Sequence, residues 1–217
     1  MSKRRMWQRP LLAGVAIMIA AALYAVWSRN ADLAAFEPDA MARLETAMWR
    51  AYYERRYAAL FRDLYVVSRE QYNFSPLDSV RIAFAAARSA RLFQPSTSRA
   101  GAEVALPSLV TYFSILSAGT RAAFDIDDAA RTELAWWQAR REAVPPEEYG
   151  AIIARVAALV YGIEGADVLQ AGRARAQAMA YRDRRGNDIS EADWAAIEEQ
   201  LRTAYGLLKR ALVKRRS

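Results

Sequence analysis

Seventeen consecutive apolar residues, Leu11 to Trp27, stand between a basic head (Lys3, Arg4, Arg5, Arg9) and Arg29, and no acidic residue precedes Asp32. Such a run narrows the folds open to it, because wherever water is excluded its backbone groups must satisfy one another, and a helix does this within one segment. At ~1.5 Å per residue the run reaches about 25 Å, slightly short of a hydrocarbon core of roughly 30 Å. Trp7 and Trp27 bracket it, about 30 Å apart on a helix, so both indoles can lie at membrane interfaces. Pro10 suits a first helical turn. The expectation is a single-pass signal-anchor, a transmembrane helix in the inner (cytoplasmic) membrane. Cations are in excess before the span, so the N-terminus stays cytoplasmic and the remaining chain is exported to the periplasmic or extracellular side. Ala20 and Ala22 form an A-x-A pattern, which makes a cleaved signal peptide the competing reading. Small residues spaced by four (Ala16 and Ala20, Ala21 and Ala25) would let two anchors pack, leaving a homo-oligomer open.

The net charge of +7 looks like a nucleic-acid signal until it is located. Residues 1–29 carry five cations and residues 209–217 carry five more (Lys209, Arg210, Lys214, Arg215, Arg216), with no acid in either stretch, which leaves −3 for residues 30–208. A nucleic-acid footprint is a basic stripe on the folded body, and this body is mildly acidic, so no nucleic-acid partner is expected. The basic tail complements a helix C-terminus. It is also a candidate for contact with lipid headgroups, because only the short stretch 30–37 separates anchor from domain.

The chain has no cysteine and no histidine. That excludes disulfides, thiol nucleophiles, iron–sulfur clusters and covalent haem attachment, and it leaves the usual structural zinc sites without ligands. No serine can be activated by an imidazole. No cofactor is expected, and an enzyme is disfavoured.

After Phe36 the pattern is helical throughout, with no convincing period-two alternation. Pro38 opens a long helix over 39–71. Ser75-Pro76-Leu77-Asp78 is a capping box that starts a helix ending near Phe93. A polar loop runs from Pro95 to Gly101, and the next helix, interrupted by Pro107, ends before Gly119. Asp125 with Asp128 caps a helix to Arg141, and Pro145-Pro146-Glu147-Glu148 starts another. Gly162 and Gly165 bracket a turn before a helix over 167–184. Ser190 with Asp193 caps the last, which reaches about Val213. The fold class is therefore all-α: head and anchor over 1–29, a spacer over 30–37, and one compact bundle-like domain of about seven helices over 38–217.

On a continuous helix over 39–71, Glu45, Tyr52, Arg56, Asp63 and Glu70 share one azimuth, a charged line down an otherwise apolar face. Buried charge needs partners, and Arg81, Arg88, Arg91 and Arg140 are the candidates. Glu45 precedes Trp49 by four residues, and Glu133 precedes Trp136 and Trp137 by three and four, so carboxylate and indole share a face. Glu45, Asp63, Glu70 and Glu133 form a candidate metal set suited to a hard ion such as Mn²⁺, Mg²⁺ or Ca²⁺. The alternative is an ion-pair network that fixes helix register. Trp49, Tyr52, Tyr53, Arg56, Trp136 and Trp137 are candidates for a partner surface or for that network. Arg173, Arg175, Arg182, Arg184 and Arg185 read as a solvated basic face.

Three functions fit these residues. The first is a membrane-anchored interaction or assembly protein that holds a protein partner beside the membrane. The second is a carboxylate-rich metal-binding or enzymatic bundle. The third is a bundle that binds an apolar ligand, which requires a cavity of several hundred Å³.

Overall fold

The start and stop signals place most of the helices. A computed structural model describes residues 16–27, 30–120 and 122–216, the side chain of Arg216 excepted. The basic head, Trp7, Pro10 and Arg29 lie outside the described residues. The helices are α1 (Ala16–Val26), α2 (Pro38–Tyr53), α3 (Tyr57–Val66), α4 (Pro76–Phe93), α5 (Arg99–Ala102), α6 (Leu106–Thr120), α7 (Ile126–Arg141), α8 (Pro146–Tyr161), α9 (Ala166–Arg185) and α10 (Glu191–Arg216). A π-helical turn, Val67–Gln71, extends α3, and a 3₁₀ turn, Glu103–Ala105, joins α5 to α6. The described residues contain no strand.

Three expected caps form as hydrogen bonds. Ser75 Oγ accepts from the Asp78 amide at 3.0 Å, and Asp125 Oδ1 accepts from the Asp128 amide at 2.9 Å. Ser190 and Asp193 complete a reciprocal box: the Asp193 amide donates to Ser190 Oγ at 3.1 Å, and the Ser190 amide to Asp193 Oδ2 at 2.9 Å. The Ser190 hydroxyl, which donates to Asp193 Oδ2 at 2.7 Å, the Ser190 amide and the Tyr181 hydroxyl hold the Asp193 carboxyl down to about 2.

The domain has more helices than the seven expected, for two local reasons. The stretch expected as one helix interrupted at Pro107 is two, α5 and α6, parted by the 3₁₀ turn ahead of Pro107, which then sits in the first turn of α6, where its missing N–H costs little. The single helix expected over 39–71 is two helices. At the end of α2 the Arg56 amide donates to Ala51 O at 2.8 Å, the Arg55 amide donates to Tyr52 O at 3.1 Å, and Arg55 has φ 56°. This is a Schellman cap with arginine in the left-handed position that glycine usually takes. Ala143 (φ 57°) closes α7 in the same way.

Neighbouring helices pack in chain order from α2 to α4, on to α6, and through α7, α8 and α9 to α10, which returns to pack on α2. The eight helices so linked form a closed ring. At one end the C-termini of α2, α7 and α9 meet: the Arg140 guanidinium hydrogen-bonds Tyr53 Oη and pairs with Asp183 at 2.9 and 2.7 Å. Arg182 also lies 3.2 Å above the Tyr53 ring. Cations here face helix C-termini, the end of the dipole that favours them. At the other end Lys209 of α10 donates to Ala34 O at 2.8 Å and Phe36 O at 2.7 Å, and the Arg215 guanidinium donates to Tyr161 O at the end of α8.

Within the stretch 30–37, Leu33 and Phe36 are buried in the core, and the Asp32 amide donates to Tyr72 O at 3.0 Å. Ahead of it, α1 buries little: Ile17, Met18, Leu23, Val26 and Trp27 are each at least 60% exposed. By length and composition alone, one helix among the described residues is apolar enough to cross a membrane, Arg99–Thr120. It spans α5 and α6, and its Leu109, Phe113 and Leu116 are buried in the core.

Candidate functional site

The middle of the ring is not filled by backbone. It holds a cavity of about 380 Å³ reached by side chains from α2, α3, α4, α6, α7, α8, α9 and α10. Much of the wall is apolar, but carboxylates, arginines and tyrosine hydroxyls also converge on it. Tyr72, Tyr112, Glu133, Tyr161, Arg175 and Tyr205 all lie deep in the protein, yet each keeps some free surface, as residues lining an internal space do.

Glu45 on α2 is 2% exposed and is the most completely satisfied polar group here. Its Oε1 accepts from Arg175 Nε at 2.7 Å and also from Arg175 Nη2, and its Oε2 accepts from Tyr205 Oη at 2.5 Å. One carboxylate thus ties α2 to α9 and α10, the joint that closes the ring. Despite burial, Glu45, Tyr205 and Glu133 hold the Arg175 guanidinium above its ordinary range, so it stays charged. Burying an ion pair costs several kcal/mol in desolvation, and only full hydrogen bonding offsets this.

Glu133 on α7 is less well served. Trp137 Nε1 donates to its Oε1 at 3.0 Å, whereas its Oε2 has no hydrogen bond among the described residues. The buried Trp136 N–H lies beside the same carboxyl and has no other partner among the described residues. Burial raises the Glu133 carboxyl above the usual carboxylate range; Arg175 and the two indoles pull it back, and the neighbouring Glu45 adds to the rise. Burial also pushes the hydroxyls of Tyr72, Tyr112, Tyr161 and Tyr205 upward and that of Tyr52 to about 12, so the tyrosines stay neutral donors.

Of the four carboxylates in the metal set, the ring brings two to the cavity. Asp63 instead pairs with Arg62 at 2.8 Å, and Glu70 is exposed on the π-helical turn. The Schellman cap at Arg55 turns α3 off the axis of α2, so the line from Glu45 through Asp63 to Glu70 does not exist. Among the described residues, no group of three or more acids is placed to hold a metal. Glu45 and Glu133 share Arg175 as their facing cation.

The partner candidates divide similarly. Trp49, Tyr52, Trp136 and Trp137 line the cavity instead of forming an outer surface, and Tyr53 accepts from Arg140 and lies under Arg182 at the ring end. Arg56 is exposed and pairs with Glu54 at 2.6 Å. Of the lipid candidates, Lys209 is spent on backbone carbonyls, Lys214 pairs with Asp167 at 2.6 Å, Arg215 reaches Tyr161 O, and Arg210 is exposed; the side chain of Arg216 is outside the described residues. The run expected as a solvated face supplies Arg175, the central cation, and Arg182, which is largely buried on Tyr53.

Sequence reasoning missed Arg175 and four tyrosines, Tyr72, Tyr112, Tyr161 and Tyr205. Their one signal was chemical: Tyr205 stands where an apolar residue is expected on the buried face of α10, and a hydroxyl on such a face needs a partner. No protein-family model matches this chain, and no curated protein or solved structure is significantly similar to it.

Proposed function

We propose that this is a membrane-tethered binding protein whose helical ring takes a small molecule with a largely apolar body into its central cavity. One observation carries the reading: a cavity of about 380 Å³ on which aromatic rings and a few buried polar groups from eight helices converge. Ligand sites have this size and make-up, whereas close-packed interiors leave few voids larger than a water. The test is thermal unfolding of the full chain in lipid nanodiscs with increasing indole. Binding to the folded state raises Tm saturably, and Ala157→Phe, which fills the cavity wall, removes the rise. An equal response in the filled variant, or none in the parent, discards the reading.

The tether is part of the same proposal. A helix that is apolar on every side and buries little in its own domain is suited to lipid. The C-terminal cations lie at the ring end where the chain from α1 enters. The head charge favours a cytoplasmic N-terminus in the inner membrane and an exported domain. A single cysteine at exposed Asp127, in a chain that otherwise has none, reports the side. It reacts with an impermeant maleimide in cells freed of any outer envelope; reaction only after lysis reverses the topology.

An interaction or assembly role is favoured by a different feature. Leu77, Val80 and Phe84 form an exposed apolar stripe on the outer face of α4, with Phe84 59% exposed. A photocrosslinker at position 84 should capture a neighbouring membrane-complex protein; capture of lipid alone argues against this role.

A further inference from the structure

The two acids that line the cavity are not served alike. Glu45 and Glu133 both face Arg175, while Arg140 at the edge pairs with Asp183, which Arg182 also approaches at 3.7 Å. Glu45 takes Arg175 through two nitrogens and adds the Tyr205 hydroxyl. That leaves Glu133 with no cation of its own, only the Trp137 indole at 3.0 Å and the Trp136 indole nearby. A carboxylate in such surroundings must find a proton or a cation. The groups around it would receive a cation well. Trp136 and Trp137 stand beside Glu133 on α7, their rings 6.0 Å apart and edge to face. Arg175 already lies 5.4 Å from the Trp136 ring, so that face is in a position to attract positive charge. Tyr112 from α6 and Tyr161 from α8 add rings and hydroxyls without charge. The opposite choice, an anionic ligand, would have to take Arg175 from Glu45 and would then face two uncompensated acids. A metal ion would find two carboxylates with a guanidinium facing both and, among the described residues, no group of three acids.

We infer that the molecule held in the ring is an organic cation, its apolar body against the aromatic wall and its ammonium group on Glu133. The inference rests on the binding function proposed above and adds the charge of the ligand.

Three probes of matched shape test it: phenethylammonium, 2-phenylethanol and 3-phenylpropionate, titrated calorimetrically into the full chain in nanodiscs. The ammonium binds about tenfold or more tightly than the alcohol, as one charge-assisted hydrogen bond provides, and the propionate binds most weakly. Glu133→Gln brings the ammonium to the affinity of the alcohol and leaves the alcohol unchanged. Equal affinities for ammonium and alcohol in the parent chain, or tighter propionate, overturn the cationic assignment while leaving the cavity as a binding site. That ranking needs no variant, so it stands even if Glu133→Gln fails to fold. If none of the three binds, the binding function itself falls. Repeating the titration with ethanolamine-headgroup lipid in the disc identifies the source of the cation. Weaker apparent affinity for phenethylammonium there means that a lipid amine competes, and unchanged affinity means a free amine.

Discussion

At the scale of single residues, two glutamates of the same type behave differently because their donors differ. Glu45 is held by a guanidinium and a phenol, so removing it leaves Arg175 buried and uncompensated. Glu45→Met should cost about 3–5 kcal/mol, whereas Glu45→Met combined with Arg175→Met should recover most of that loss, since the pair as a whole contributes little net stability. Urea unfolding of the two singles and the double checks this; additive losses would mean that the pair is not coupled. Glu133 predicts a pH effect of definite sign. Its raised carboxyl means that the folded protein keeps a proton that the unfolded chain releases. Its stabilising contribution is therefore full below the ordinary carboxylate range and is lost as pH rises through the raised value. In ligand-free protein, Glu133→Gln should thus gain Tm relative to the parent as pH is taken from about 4 to about 8. A constant difference across that range would show that Glu133 titrates normally.

At the scale of helices, the two joints that decide the site are invisible to simple pattern reading. Arg55 ends α2 in a left-handed conformation without glycine or proline, which costs an L-residue roughly 1–2 kcal/mol. Arg55→Gly should therefore stabilise the domain by about 1 kcal/mol, and Arg55→Val should destabilise it by a similar amount, both read from thermal melts. The second joint is the approach of α8 to α9, where a Cβ on Gly172 would come within 2.6 Å of the Ala154 backbone nitrogen. Backbone cannot give way as a flexible side chain can, so Gly172→Ala should push the two helices apart and cost about 1–3 kcal/mol. Because Gly172 also lines the cavity, the same change should weaken any bound probe. Caps and proline positions could be read along the chain because they involve residues three or four apart. Arg55 could not, because its conformation is imposed by the direction α3 must take to meet α4.

At the scale of the whole molecule, closure of the ring joins the beginning of the domain to its end. Leu33 and Phe36 enter the core just before α2, and Lys209 on α10 clasps the carbonyls beside them. A chain beginning at residue 31 should therefore melt cooperatively, whereas one beginning at residue 38 should lose about 5 kcal/mol or more, the usual cost of emptying two large buried sites. Equal melts would place the domain boundary at Pro38. Closure also explains why one cavity gathers side chains from eight helices: each helix turns one face inward, and the ring is wide enough that those faces do not fully meet.

The residues alone determined the all-helical class, the capping of α4, α7 and α10, the face that Glu133 shares with Trp136 and Trp137, and the list of chemistries that a chain without cysteine or histidine cannot perform. All of these depend on composition or on neighbours within one helical turn. Only the tertiary structure decided that Glu45 meets Arg175 and Tyr205, 130 and 160 residues away along the chain, and that Asp63 and Glu70 stay out of the cavity. Helical periodicity gives the direction of a side chain only relative to its own axis. The angles between axes, set here by a left-handed arginine and by glycine at a helix crossing, determine which of those directions converge.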